Sequence, residues 1–252
     1  LNLHDEIIEV INHHSSETRL HFSSNTLQNR LPLLKRIERN LDTDQLKPRD
    51  HIINLSGGAQ ATISVFNLKA MILSLLLDDN IMTPENLAQG YDVFTGTGSQ
   101  PDDVYGEIHT GDAWEPARQR FCGDDPRNMP VALVVFGDKS HFDLHGTLST
   151  LPLTFTLSCF NLKSRNSSKF WRPLAFIPNL SYGATSSKNS AKPVESLQDE
   201  HECLKACFKE LIDIGRSGGI PTTVMGRPVI LKVWIHFFVG DTSGNNLQNC
   251  SW

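Results

Sequence analysis

Two aspartates, Asp138 and Asp241, each follow a strand-like apolar run and a glycine. The runs are Val131-Ala-Leu-Val-Val-Phe136-Gly137-Asp138 and Pro228-Val-Ile-Leu-Lys-Val-Trp-Ile-His-Phe-Phe-Val239-Gly240-Asp241. A carboxylate at the end of a buried strand costs free energy unless hydrogen-bond donors or a cation meet it. Each aspartate is therefore tied into backbone amides or available to a metal. Side by side, two carboxylates repel and call for a hard divalent cation between them. Mg²⁺ takes carboxylate and phosphate oxygens together. Two such ions about 3.5–4 Å apart can activate water and stabilise a leaving 3′ oxygen in phosphodiester transfer.

Other chemistry-bearing residues fit structural roles better. Asp143 is the exception, a rival to Asp138: five residues further along a regular strand it points to the opposite face, so only one of the two belongs in the site. His141 and His236 lie near the two acids in sequence and read as strand histidines. His201-x-Cys203-x3-Cys207 holds three potential zinc ligands, but Cys203 and Cys207 share a helical face that His201 does not share well. Buried cysteines on an apolar stripe are the better reading. Gly57-Gly58 lacks the Lys-Ser/Thr of a phosphate-cradling loop. His109-Thr-Gly-Asp112-Ala-Trp114-Glu115-Pro-Ala-Arg118 reads as a packed loop.

The elements that must position the aspartates come next. The valine-rich run from Val131 reads as a strand buried on both faces, extending to about Leu144. His145-Gly146-Thr147 makes a turn into a second, antiparallel strand, Leu148 to Asn161, with period-two alternation. Phe170 to Asn179 supplies a third strand, whose Pro173 and Pro178 suit a sheet edge. A helix over Val194 to Ile214 carries the stripe Leu204, Cys207, Phe208, Leu211 and Ile212. The strand from Pro228 completes the order strand, strand, strand, helix, strand. In a ribonuclease H-like α/β arrangement the fourth strand lies parallel beside the first, which a right-handed crossover permits. That would stand Asp138 and Asp241 next to each other. Upstream, Phe66 to Leu77 reads as a buried helix, and Thr83-Pro84-Glu85 as a helix start ending near Gly90. Residues 1–125 form a helical and loop-rich accessory region, and 126–252 a partial RNase H-like core.

Composition fits this reading. The 252 residues are 39% hydrophobic and 20% charged, an ordinary globular balance, with net charge −5. Five scattered cysteines argue for reduced thiols in a nuclear or cytoplasmic protein that is not secreted. No apolar stretch is long enough to span a membrane. From Leu144 to Val194 there is no acid, while Lys163, Arg165, Lys169, Arg172, Lys188 and Lys192 supply six bases. Lys163, Arg165 and Arg172 are the candidate contacts to a polyanion.

Four segments together resemble the Plavaka-type transposases and related DDE transposases of eukaryotic genomes. They are Gly137-Asp138-Lys-Ser-His141, the strand Pro152 to Asn161, Trp171-Arg-Pro-Leu-Ala-Phe-Ile-Pro178 and Phe238-Val-Gly-Asp241. Glu107-Ile-His-Thr-Gly-Asp-Ala-Trp-Glu-Pro-Ala-Arg-Gln-Arg120 is similar to the lead-in to that core. The resemblance implies an RNase H-like fold, Mg²⁺ or Mn²⁺, transposon-end DNA as partner with a homo-oligomer open, and Asp138 and Asp241 as the first two catalytic acids. It also implies a third acid on a helix well beyond the second. The chain ends eleven residues after Asp241, so the expectation is a fragment that is inactive on DNA alone. The competing readings are a domesticated, non-enzymatic RNase H-fold module that binds DNA or protein, and another metal-dependent nuclease.

Overall fold

The computed structural model describes residues 46–98, 106–138, 140–141, 149–178, 180 and 194–240. The chain divides into two compact units, Leu1–Gln45 and Leu46–Trp252, and the described residues belong to the second. In chain order the elements are β1 (Arg49–Asn54), β2 (Gln60–Val65), α1 (Leu68–Leu76), α2 (Trp114–Cys122), β3 (Asn128–Gly137), β4 (Ser140–His141) and β5 (Ser149–Leu157). Then follow α3 (Leu162–Arg165), β6 (Arg172–Pro178), α4 (Val194–Cys207), α5 (Lys209–Arg216), β7 (Ile220–Val224) and β8 (Arg227–Val239). All the strands join one mixed sheet of order β1-β2-β6-β5-β3-β8-β7, with β4 paired to β5. The fold is mixed α/β.

β3 is the centre of the sheet. Residues Met129 to Val135 are all buried, as a run of β-branched residues without polar alternation requires. On one side β3 pairs antiparallel with β5, from Leu133 opposite Leu157 to Gly137 opposite Leu153. On the other it pairs parallel with β8, from Asn128 opposite Ile230 to Phe136 opposite Val239. The parallel pairing expected between these two apolar runs is therefore present.

Several expectations change. The hairpin β1–β2 pairs with β6 through Ser64–Phe176 and Val65–Ala175, so β6 is an interior strand. It tolerates its prolines because the ladder to β2 lies between them. On the β5 side a register shift accompanies Pro173, which has no N–H to donate. β1, β2, α1 and α2 precede residue 126 yet belong to the same compact unit as the later strands. The expected division at 125/126 thus runs through one unit. Residues 83–90 form turns rather than a helix. Their backbone groups are taken by the segment after β5: Asn161 Nδ2 donates to the Glu85 and Leu87 carbonyls, and the Ala88 N–H donates to the Cys159 carbonyl. The loop expected over 109–118 becomes helical at Trp114.

The helix expected over 194–214 is interrupted at Phe208 (φ −97, ψ 5). Its buried line runs through Cys203, Cys207 and Ile214, and Ile212 is exposed. α5 ends in a Schellman motif: the Gly219 N–H donates to the Ile214 carbonyl and the Gly218 N–H to the Gly215 carbonyl, with Gly218 at φ 84. β7 and β8 form a hairpin closed by Met225 and Gly226, both at positive φ, as a two-residue type I′ turn demands. α1 buries Leu68, Met71, Ile72, Leu75 and Leu76 as expected. Its amino end is held by the Asn67 side chain and by Glu210 of α5, whose carboxylate accepts the Leu68 and Lys69 N–H groups. Negative charge there meets the unpaired N–H groups of the first turn. Among the described residues no helix is long and apolar enough to cross a membrane.

Candidate metal and nucleic-acid site

The end of the β3–β8 pair is where the sequence places its carboxylates. Asp138 directly follows β3. It is exposed, and no hydrogen bond or ion pair to a described residue engages it, so it is not a buried backbone cap. Asp241 lies two residues beyond Val239 in sequence and outside the described residues, as does Asp143. His141 sits in β4, opposite Ser149. Among the described residues no group of three or more His, Cys, Asp or Glu is placed to hold a metal ion. Asp138 has the donor chemistry a hard divalent cation takes, an ionisable oxygen open to solvent.

Gly137 has a packing role. A Cβ there would lie 2.8 Å from Leu153 Cδ2 and 3.4 Å from Phe238 Cε1. The glycine admits β5 and β8 side chains at the strand end. The parallel ladder also carries an irregularity close to the site. Leu133 pairs with Ile235 and Val134 with Phe237, leaving His236 as an extra residue. Bulges of this kind re-aim side chains. The His236 ring stands 5.3 Å from that of Trp114 on α2, and burial holds its pKa below the usual histidine value.

The three basic residues assigned to a polyanion have different fates. Lys163 is exposed on α3. Arg165 forms an ion pair with Glu107 at 2.9 Å, with side-chain exposures of 12% and 14%, and also donates to the Phe160 carbonyl. Glu107 Oε1 accepts the Leu162 N–H at 3.1 Å. Arg172 donates from Nε to Ser74 Oγ at 2.8 Å and from Nη1 to the carbonyls of Lys169 and Trp171. Burial lowers its pKa. Arg165 and Arg172 are thus internal fasteners, and charge alone did not reveal their partners.

The cysteine pair behaves as core. Cys203 and Cys207 are buried and unbridged. Burial raises their thiols to about 11 and about 12. The lead-in segment is organised around Trp114, whose Nε1–H donates to the Gly96 carbonyl at 2.7 Å. Its ring meets those of Tyr91, Trp234 and His236 at 5.9, 5.8 and 5.3 Å. The His109 ring lies 4.9 Å from that of Tyr91, and burial lowers its pKa.

One feature near Asp138 was missed in sequence. Phe136, Phe237 and Val239 are exposed, although their run reads as uniformly buried. The signal available was position: these are the last residues of the two central strands, where cover ends.

Compared with protein-family models and with curated proteins, the chain matches none.

Proposed function

We propose that the β3–β8 sheet end holds a divalent cation between Asp138 and Asp241 and serves metal-dependent cleavage and joining of DNA phosphodiesters. In this reading the order β6-β5-β3-β8 is the core of an RNase H-like sheet resembling that of the Plavaka-type DDE transposases. The observation that carries it is the parallel register with Phe136 opposite Val239. Both strands run on into Gly-Asp, and the same register, if continued for two residues, would bring Asp241 beside Asp138. Neighbouring strands are about 4.8 Å apart, a separation at which two carboxylates gain most from a shared cation.

Mg²⁺ or Mn²⁺, when bound, supplies Lewis acidity toward the phosphate and a water of lowered pKa. The chain's own part is narrower. Asp138 and Asp241 bind and orient the ion. Gly137 lets β5 close against β3, so the strand carrying Asp138 is held on both sides.

Mn²⁺ titration of the full chain, followed calorimetrically, tests this. Asp138→Asn and Asp241→Asn should each weaken Mn²⁺ binding by at least about 100-fold, the upper end of the cost of losing an outer-shell partner of a ligand. Binding that neither substitution alters would contradict the pairing.

A further inference from the structure

The sheet face that carries Trp234 is covered by α2 up to His236. Beyond that the same face opens. Phe237 and Val239 are each 44% exposed and Phe136 is 38% exposed. Val239, Phe136, Thr154 and Pro173 are successive register partners across β8, β3, β5 and β6. They form one row across four strands, about 14 Å long at the usual strand spacing. Trp171 extends the row. Its ring centroid is 6.3 Å from that of Phe136, and its Nε1–H donates to the Arg165 carbonyl at 2.6 Å, which fixes the ring.

An exposed aromatic row on a rigid sheet marks a binding surface, and its charge indicates the occupant. β5, α3 and β6 all fall within the segment from Leu144 to Val194, which contains no acid. Lys163 is exposed on α3, next to the residues that anchor Trp171. Acids near the row include Asp138, two residues beyond Phe136 on β3, and Glu107, which is paired with Arg165. Exposed rings, with Lys163 on the neighbouring helix and the nearby Glu107 carboxylate already paired with Arg165, suit a strand whose phosphates are negative and whose base faces are uncovered. A duplex keeps those faces stacked inside itself.

We propose that this row receives the unpaired bases of a nucleic-acid strand, which stack on Phe136, Trp171 and Phe237, while a phosphate of the same strand meets the divalent cation proposed at Asp138. The proposal rests on the metal-site reading for its phosphate and on the exposed row for its bases.

Fluorescence anisotropy of labelled oligothymidylate with the full chain, at fixed salt and first without metal, tests it. Single strands should bind more tightly than a duplex of equal length. Phe136→Ala and Phe237→Ala should each weaken single-strand binding by about tenfold or more, the cost of one lost stacking platform. Phe136→Tyr should bind like the parent, and Phe136→Leu like Phe136→Ala, because a ring is required and not merely apolar surface. Mn²⁺ should tighten single-strand binding in the parent, and Asp138→Asn should abolish that gain. Binding by Phe136→Leu equal to the parent, or alanine variants that lose self-association but not oligonucleotide, would overturn the proposal in favour of a protein-covered patch. Absent oligonucleotide binding with Mn²⁺ binding intact overturns this proposal alone. Absent Mn²⁺ binding overturns the metal reading and removes the phosphate's anchor with it.

Discussion

Glu107→Ala should destabilise the chain by about 3–5 kcal/mol, the cost of leaving one member of a buried ion pair alone. The pair with Arg165 spans 58 positions of sequence at 2.9 Å and is largely out of water. Glu107 also accepts the Leu162 N–H, and Arg165 donates to the Phe160 carbonyl. Removing the carboxylate therefore leaves a largely covered guanidinium without its counter-charge where β5 hands over to α3, while the Leu162 N–H, on an exposed residue, can turn to water. Urea denaturation of the variant measures the loss. The double substitution Glu107→Leu with Arg165→Met should recover much of it, because apolar residues of similar volume often replace a buried pair at little cost. A loss of under about 1 kcal/mol for Glu107→Ala, the range of an exposed pair, would mean that water reaches this contact.

Trp114→Ala should cost a similar amount, about 3–5 kcal/mol for truncating a large buried aromatic. Trp114 is 3% exposed, and it joins α2 to three other segments: the turn at Gly96, the Tyr91 ring, and Trp234 with His236 on β8. The fall in melting temperature should be on the order of 10 °C, given about 2–4 °C per kcal/mol for a domain of this size. Trp114→Phe should fall between the two proteins. It keeps a ring but leaves the Gly96 carbonyl without its donor. A change of under about 2 °C for Trp114→Ala would show that the aromatic cluster is not a principal tie between α2 and the sheet.

The central strands were legible because their physics is local. An unbroken valine-rich run and a long apolar run beginning at a proline both mark strands, and their parallel pairing followed from the order of elements between them. β1–β2 and β7 were not legible. Ile52 and Ile53 sit in an otherwise polar stretch, and β7 is five residues long with Thr222 and Thr223 in its middle. Their strand character comes from pairing with neighbours, and for β7 from a turn in which Met225 takes a left-handed conformation that a methionine does not advertise. Thr83-Pro84-Glu85 carries a helix-start signal that lost to tertiary hydrogen bonds from residues 159–161.

Of the candidate site, the end of the β3–β8 pair was legible and the surroundings of the basic residues were not. Asp138 was singled out because a carboxylate buried after an apolar run is costly; it is exposed, so that cost does not arise. Arg165 and Arg172 were assigned to a polyanion because charge is visible in sequence and burial is not. Glu107 lies far from Arg165 along the chain, and the donors and acceptors around Arg172 come mainly from α1 and backbone carbonyls. The exposed rings of Phe136 and Phe237 went unread because apolar residues in a central strand are expected to be covered along their whole length. Here α2 reaches only as far as His236.

The most direct measurement is paramagnetic broadening of backbone amide signals by Mn²⁺ at low molar ratio. Gly137 and Gly240 precede the two aspartates on neighbouring strands. If Asp138 and Asp241 share one ion, both amide signals should fade together at the first additions, and both should persist in Asp138→Asn. Fading of one without the other, or of neither, would contradict a common site at the end of β3 and β8.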